Sequence, residues 1–190
     1  MAASILVFPD PEDVAYYVGV ARNLIGGRGL VSDAIWSFAT PPLSFPRPAF
    51  ELWLPLPTFL AALPMALLGP TFRAAQMSSI IIAGVTAVLA WRLGAAVAEE
   101  RGLTGGRARA IALGTGLTSA VYMPLVLASA QPDSTLPFAA LTLAACLLMA
   151  RLIVPGTSTP STRSLAALGV LLGLAALARN EAIWLALTWA

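Results

Sequence analysis

Three stretches of the chain, residues 74–98, 108–127 and 134–154, run for about 20 residues or more with hardly a charge in them. That length matches the hydrocarbon thickness of a bilayer, and inside lipid the backbone must satisfy its own hydrogen bonds, so such runs become helices rather than open strands. The composition agrees: 58% of residues are hydrophobic and 11% charged, against about a quarter charged in an ordinary domain. The expected fold is therefore all-α, a polytopic membrane helix bundle.

Several functions are excluded by what is missing. The net charge of +2 comes from arginine alone, because there is no lysine and no histidine. These arginines are scattered, which argues against a nucleic-acid partner. Cys146, the one cysteine, lies in an apolar run and forms no internal disulfide. Without histidine, a His-based nucleophile system or a zinc site is excluded, and no residue is assigned to a metal. Residues 1–8 read as the last turns of an apolar helix, and 183–190 stop inside another apolar run. The chain is thus expected to be part of a longer protein.

The connections give an orientation. EERGLTGGRAR, between the first two runs, carries Arg101, Arg107 and Arg109, and the linker after the third is flanked by Arg151 and Arg163. SAQPD, between the second and third, has no positive charge. By the positive-inside rule the arginine loops are cytoplasmic and Asp133 faces outward. Residues 50–68, FELWLPLPTFLAALPMALL, are apolar enough to span but contain Pro55, Pro57 and Pro64. A full crossing there would put Asp13 on the face opposite Asp133. A re-entrant or juxtamembrane helix would leave both acids outside, and prolines, unfavourable in a helix interior, favour that choice. The expected organisation is the end of a first span plus an extracytoplasmic loop over 1–73, with amphipathic juxtamembrane helices at 10–25 and 50–68. Membrane helices follow at 74–98, 108–127, 134–154 and 164–190, the last interrupted by Arg179, Asn180 and Glu181.

Residues 9–30 hold three of the nine acids within four positions: Asp10, Glu12 and Asp13. Asp10 before Pro11 is a good helix start, with Gly26 and Gly27 as the stop. Asp13, Tyr16, Tyr17, Val20 and Leu24 fall at spacings of three and four, so Asp13 stands at one end of an apolar and aromatic stripe suited to a membrane surface. Acids in a first turn are favoured by the helix dipole, which suffices for Asp10 and Glu12. A carboxylate held at a membrane surface is also placed to act as a base or to hold a divalent metal. Asp133, before Ser134 and Thr135, reads equally as a helix cap. Tyr16, Tyr17 and Trp36 read as interface anchors, and residues 30–48 as an irregular interfacial loop.

Taken in order, several runs resemble the N-terminal portion of a GT-C type integral-membrane glycosyltransferase, of the protein mannosyltransferase and aminoarabinose transferase-like superfamily. They are DVAYYVGVARNLIGGRG (13–29), LPLPTFLAALPMALLG (54–69), Arg73 with two alanines, QPDSTLPFAALTLAACLL (131–148) and GVLLGLAALARNEAIWLAL (169–187). In that family the aspartate eight residues before the Ala-Arg pair, in the first extracytoplasmic loop, is the proposed catalytic base, and here that position is Asp13. The resemblance further implies substrate-binding roles for Asp133 at the start of its helix and for Arg179 and Glu181 in an Ala-x-Ala-Arg-x-Glu pattern. Glu51 matches part of a Glu-Lys pair that precedes the family's prolines, and Arg47 is the candidate for the missing cation. Val14 stands where many members have glutamate.

The implied activity moves a sugar from a polyprenyl-phosphate donor to a glycan, lipid or protein acceptor on the extracytoplasmic side of a cell membrane, with membrane lipid as a partner. No cofactor is fixed, and a divalent metal is left open. The fragment alone is expected to be inactive. The competing readings are a non-enzymatic polytopic protein, such as a transporter or assembly subunit, and a truncated gene product. Transporters place polar groups near the midplane in broken helices, and the three apolar runs contain almost none.

Overall fold

A computed structural model describes residues 2–9, 12–35, 44–153 and 161–189. Helix makes up 72% of the described residues and strand almost none of them, as expected of an all-α fold. The residues divide into two compact units, one of Met1–Ile81 with Leu127–Ser134 and one of Ile82–Val126 with Thr135–Ala190.

The first unit opens with a single turn, α1 (Ala2–Ile5), and then α2 (Asp13–Ile25). Asp10 and Pro11, the expected helix start, lie outside the described residues. The residue before the first turn is Glu12, which makes no capping bond through its side chain and has φ 78°. Positive φ is costly for a residue with a Cβ. The stop is the expected one: Gly27 sits at φ 79°, its N–H donates to the Leu24 oxygen, and Arg28 N–H donates to the Asn23 oxygen. That pair of bonds closes the helix end, and glycine takes the left-handed position without penalty.

After α2 come β1 (Val31–Ser32) and β2 (Arg47–Pro48), which pair antiparallel with Val31 opposite Pro48 and Ser32 opposite Arg47. This small ladder replaces part of the irregular loop expected over 30–48. α3 (Leu56–Leu68) begins behind Pro55, has Pro57 in its first turn and Pro64 inside. Its 13 residues reach about 20 Å at 1.5 Å per residue, short of the roughly 30 Å of a bilayer core.

α2 is covered on two sides. Val14, Val18 and Ala21 pack with Ala61, Ala62 and Met65 of α3 and with Phe72, Ala74 and Ala75 at the start of α4 (Phe72–Glu100). Tyr16, Tyr17 and Val20 form a second cluster with Ala34, Ala49, Phe50 and Trp53. Seven of the 13 residues of α2 are buried. The stripe that the sequence assigned to the membrane surface is therefore covered by protein. Each fully buried valine or methionine here stabilises by about 1.5–3 kcal/mol.

The second unit holds the rest of α4, α5 (Gly105–Val121), most of α6 (Met123–Ala128), α7 (Thr135–Ile153), α8 (Thr162–Ala178) and α9 (Ala182–Leu187). Residues 108–127, read as one crossing, are broken at Tyr122, which is extended at φ −63° and ψ 113°. Pro124 causes the break, since proline removes a helix donor and crowds the preceding turn. Arg179 is likewise extended, at φ −152° and ψ 143°, and separates α8 from α9. α7 packs on α8 around Ala145, Met149 and Leu168.

Among the described residues two helices, α4 and α7, are long and apolar enough to cross a membrane by length and composition. Within their apolar windows only 17% and 28% of residues are buried. Ile80, Ile81, Val85 and Val88 on α4 are exposed, whereas the core helix of a soluble protein would hide such side chains.

Candidate functional site

The polar part of the first unit is organised by Tyr17. Four residues after Asp13 on α2, its ring lies one helical turn along the same face. Ala21 beneath it is fully buried, so a larger side chain there would displace the packing on α3. Tyr17 is 2% exposed, its hydroxyl is hydrogen-bonded to that of Ser134, and the carboxylates of Asp13 and Asp133 both lie near it. Burial, then Asp13, then Asp133 and Tyr16 disfavour a phenolate, with only the Ser134 bond opposing, and the phenol is pushed up to about 12. At any ordinary pH it keeps its proton.

The charges of two aspartates far apart in the sequence thus act on one buried phenol. The loop that brings Asp133 there is held to α4. Ser79 Oγ donates to the Gln131 oxygen at 3.2 Å, and that same oxygen accepts the Asp133 N–H at 2.9 Å.

Tyr16 carries the arrangement to a second group. Its ring meets Tyr17 edge-on at 5.7 Å and Trp53 at 6.5 Å, and its hydroxyl accepts the Phe50 N–H at 2.7 Å. Desolvation raises its pKa, the Phe50 bond opposes, and the charges of Glu51 and Arg47 pull in opposite directions. Arg47 and Glu51 pair with each other. Together with Tyr16, Ser32, Pro48 and Leu52 they line a small hollow. The other terminal nitrogen of Arg47, Nη1, is buried with no hydrogen-bond partner among the described residues.

Four of the six residues singled out in the sequence, Asp13, Asp133, Arg47 and Glu51, therefore gather around the Tyr16–Tyr17 pair. The other two, Arg179 and Glu181, belong to the second unit, where Arg179 Nη2 donates to Glu181 Oε1 at 2.6 Å. Both side chains are largely exposed, so the pair adds little to stability.

Sequence reasoning misread the tyrosines. Tyr16 and Tyr17 are core residues, not interface anchors, and Trp36 lies outside the described residues. It also passed over Ser134, Gln76 and the lock after α2. There buried Asn23 donates through Nδ2 to the Val31 oxygen at 2.9 Å and to Asp33 at 3.0 Å, while Arg28 grips both oxygens of Asp33 at 2.8 Å. Arg28 is the first cause, and Asn23 the second, of the lowered Asp33 pKa. This lock fixes β1 against the end of α2.

Among the described residues, no group of three or more His, Cys, Asp or Glu side chains could hold a metal ion. Asp13 and Asp133 supply two carboxylates, so a divalent ion would find no three-ligand protein cage here. Comparison with protein-family models, with curated proteins and with solved structures finds no match to this chain.

Proposed function

We propose that the chain is the N-terminal portion of a GT-C type membrane glycosyltransferase that moves a sugar from a polyprenyl-phosphate donor to an extracytoplasmic acceptor, with Asp13 as the base. The observation that supports this reading is that the charges of Asp13 and Asp133 both act on the Tyr17 phenol, since the resemblance in sequence needs those two acids on one face. The reaction asks little else of the protein. An acceptor hydroxyl gives its proton to the Asp13 carboxylate as its oxygen bonds to the anomeric carbon. The bond from that carbon to the lipid phosphate oxygen breaks in the same displacement, the phosphate leaves with the electron pair, and the anomeric configuration inverts.

Arg47 suits the donor end, because a guanidinium fork binds phosphate oxygens and its Nη1 has no other partner among the described residues. Glu51 on the same guanidinium fixes its orientation. The transporter reading loses support from α4. Its buried Gln76, Ser79 and Thr86 each donate to backbone carbonyl oxygens, which leaves them in structural roles.

In the proposed topology α4, the α5–α6 region, α7 and the α8–α9 region are membrane helices of a multi-pass protein, and α2 and α3 lie on the extracytoplasmic side. The length of α3 and the positive-inside rule support this. The test is transfer by purified full-length protein supplied with polyprenyl-phosphate sugars. Asp13→Asn is expected to lower kcat by about a hundredfold or more. Transfer undiminished in that variant removes Asp13 from the role.

A further inference from the structure

Gln76 is a glutamine near the start of the largely apolar α4, and it is 2% exposed. A buried carboxamide is destabilising unless its hydrogens find acceptors. Both hydrogens of its Nε2 have one. The Leu6 oxygen accepts at 2.9 Å and the Ala130 oxygen at 2.8 Å. The two acceptors belong to irregular segments remote in sequence, one seven residues before Asp13 and the other three before Asp133. One turn further along α4, Ser79 holds the next carbonyl, that of Gln131, which in turn accepts the Asp133 N–H.

Burial of the carboxamide accounts for there being two bonds, but not for which carbonyls accept them. Joining these two segments does more: it ties the lead into α2 and the turn before α7 to the same atom. We propose that Gln76 is the positioning residue of the two-aspartate site, its carboxamide fixing how far Asp13 stands from Asp133. The role as a positioning residue rests on the transferase reading. Gln76 acts by holding the segments at Leu6 and Ala130, and Tyr17 with Ser134 completes the closure from the α2 side.

The variant that isolates this role is Gln76→Met, which keeps the length of the side chain and removes both donors. Two readouts apply to full-length protein with its native cysteines replaced. The first is the distance distribution between spin labels at Phe8 and Leu127, both exposed and both in the first unit. It is expected to be narrow in the parent and to broaden in Gln76→Met. The second is kinetic: kcat for sugar transfer falls by about tenfold or more while the donor KM stays within about twofold, because misplacement affects the reacting geometry more than binding. In an Asp133→Asn background the same substitution lowers kcat by less than about threefold, because residues acting through one another are not additive.

An unchanged distance distribution overturns the proposal, and so does an equal loss in both backgrounds. If Gln76→Met does not fold, Ser79→Ala removes the neighbouring bond more gently and must show the same pattern at smaller amplitude. If the parent transfers no sugar from any polyprenyl-phosphate donor, the transferase reading fails, while the distance measurement still decides whether Gln76 sets the spacing.

Discussion

At Tyr17, burial and charge act on one phenol in the same direction, and the result can be measured without an activity assay. An unfolded tyrosine titrates near 10, whereas in the fold this one is pushed up to about 12. Below pH 10 both states hold the proton and stability does not vary through this group. Between pH 10 and about 12 only the folded state holds it, so stability falls as pH rises, by up to about 3 kcal/mol in total. Thermal unfolding in detergent across that range should show this fall, and Tyr17→Phe should remove it. Asp13→Asn should bring the Tyr17 titration, followed by tyrosinate absorbance, part of the way back toward 10, because after burial the Asp13 charge acts most strongly on the ring. An unmoved titration would falsify the placement of Asp13 beside the phenol. Asp13 itself was legible in the sequence as an acid in a first helical turn. Tyr17 was not, because an aromatic residue on the apolar side of a helix has the same spacing whether lipid or protein covers it.

At the scale of elements, the crossing of α4 and α5 within the second unit depends on two glycines. A Cβ on Gly116 would stand 2.9 Å from Trp91 Cβ, and one on Gly94 would stand 2.6 Å from Thr115 Oγ1 and 3.1 Å from Ala112 Cα. Close approach of backbones through small residues is how helices associate where lipid is the solvent. A Cβ on Gly114, two residues from Gly116, would meet nothing within 4 Å. Gly116→Ala is therefore expected to destabilise by about 1–3 kcal/mol through overpacking, while Gly114→Ala stabilises by up to about 1 kcal/mol because alanine is the better helix former. Thermal unfolding of the two variants side by side checks both signs. In sequence these glycines look alike, since which side of α5 meets α4 is decided by packing. The break at Tyr122 had a visible cause in Pro124. It was overridden by the hydropathy of 108–127, which counts apolar residues and not backbone donors. By the same counting, hydropathy gave the long helices α4 and α7 within two residues at each end.

At the scale of the whole molecule, the proposed topology turns on how α4 divides its length. Its first ten residues, through Ile81, belong to the first unit and carry Gln76 and Ser79. The remaining 19 residues, 82–100, rise about 28 Å, close to the bilayer core of about 30 Å. If α4 crosses there, the loop with Arg101, Arg107 and Arg109 emerges on the cytoplasmic side and the segment before Phe72 stays outside. α3 then has both ends on that outer side, and its prolines need no membrane-buried substitute for their missing donors. Single cysteines at Phe50 and Pro70, with native cysteines including Cys146 replaced, should react with a membrane-impermeant thiol reagent from the extracytoplasmic side, as should one at Asp133. A cysteine at Thr104 should react only after the membrane is opened. Opposite sidedness of positions 50 and 70 would make α3 a true span. Asp13 would then lie across the membrane from Asp133, although the charges of both act on the Tyr17 phenol, so the labelling tests the topology and the two-aspartate site together.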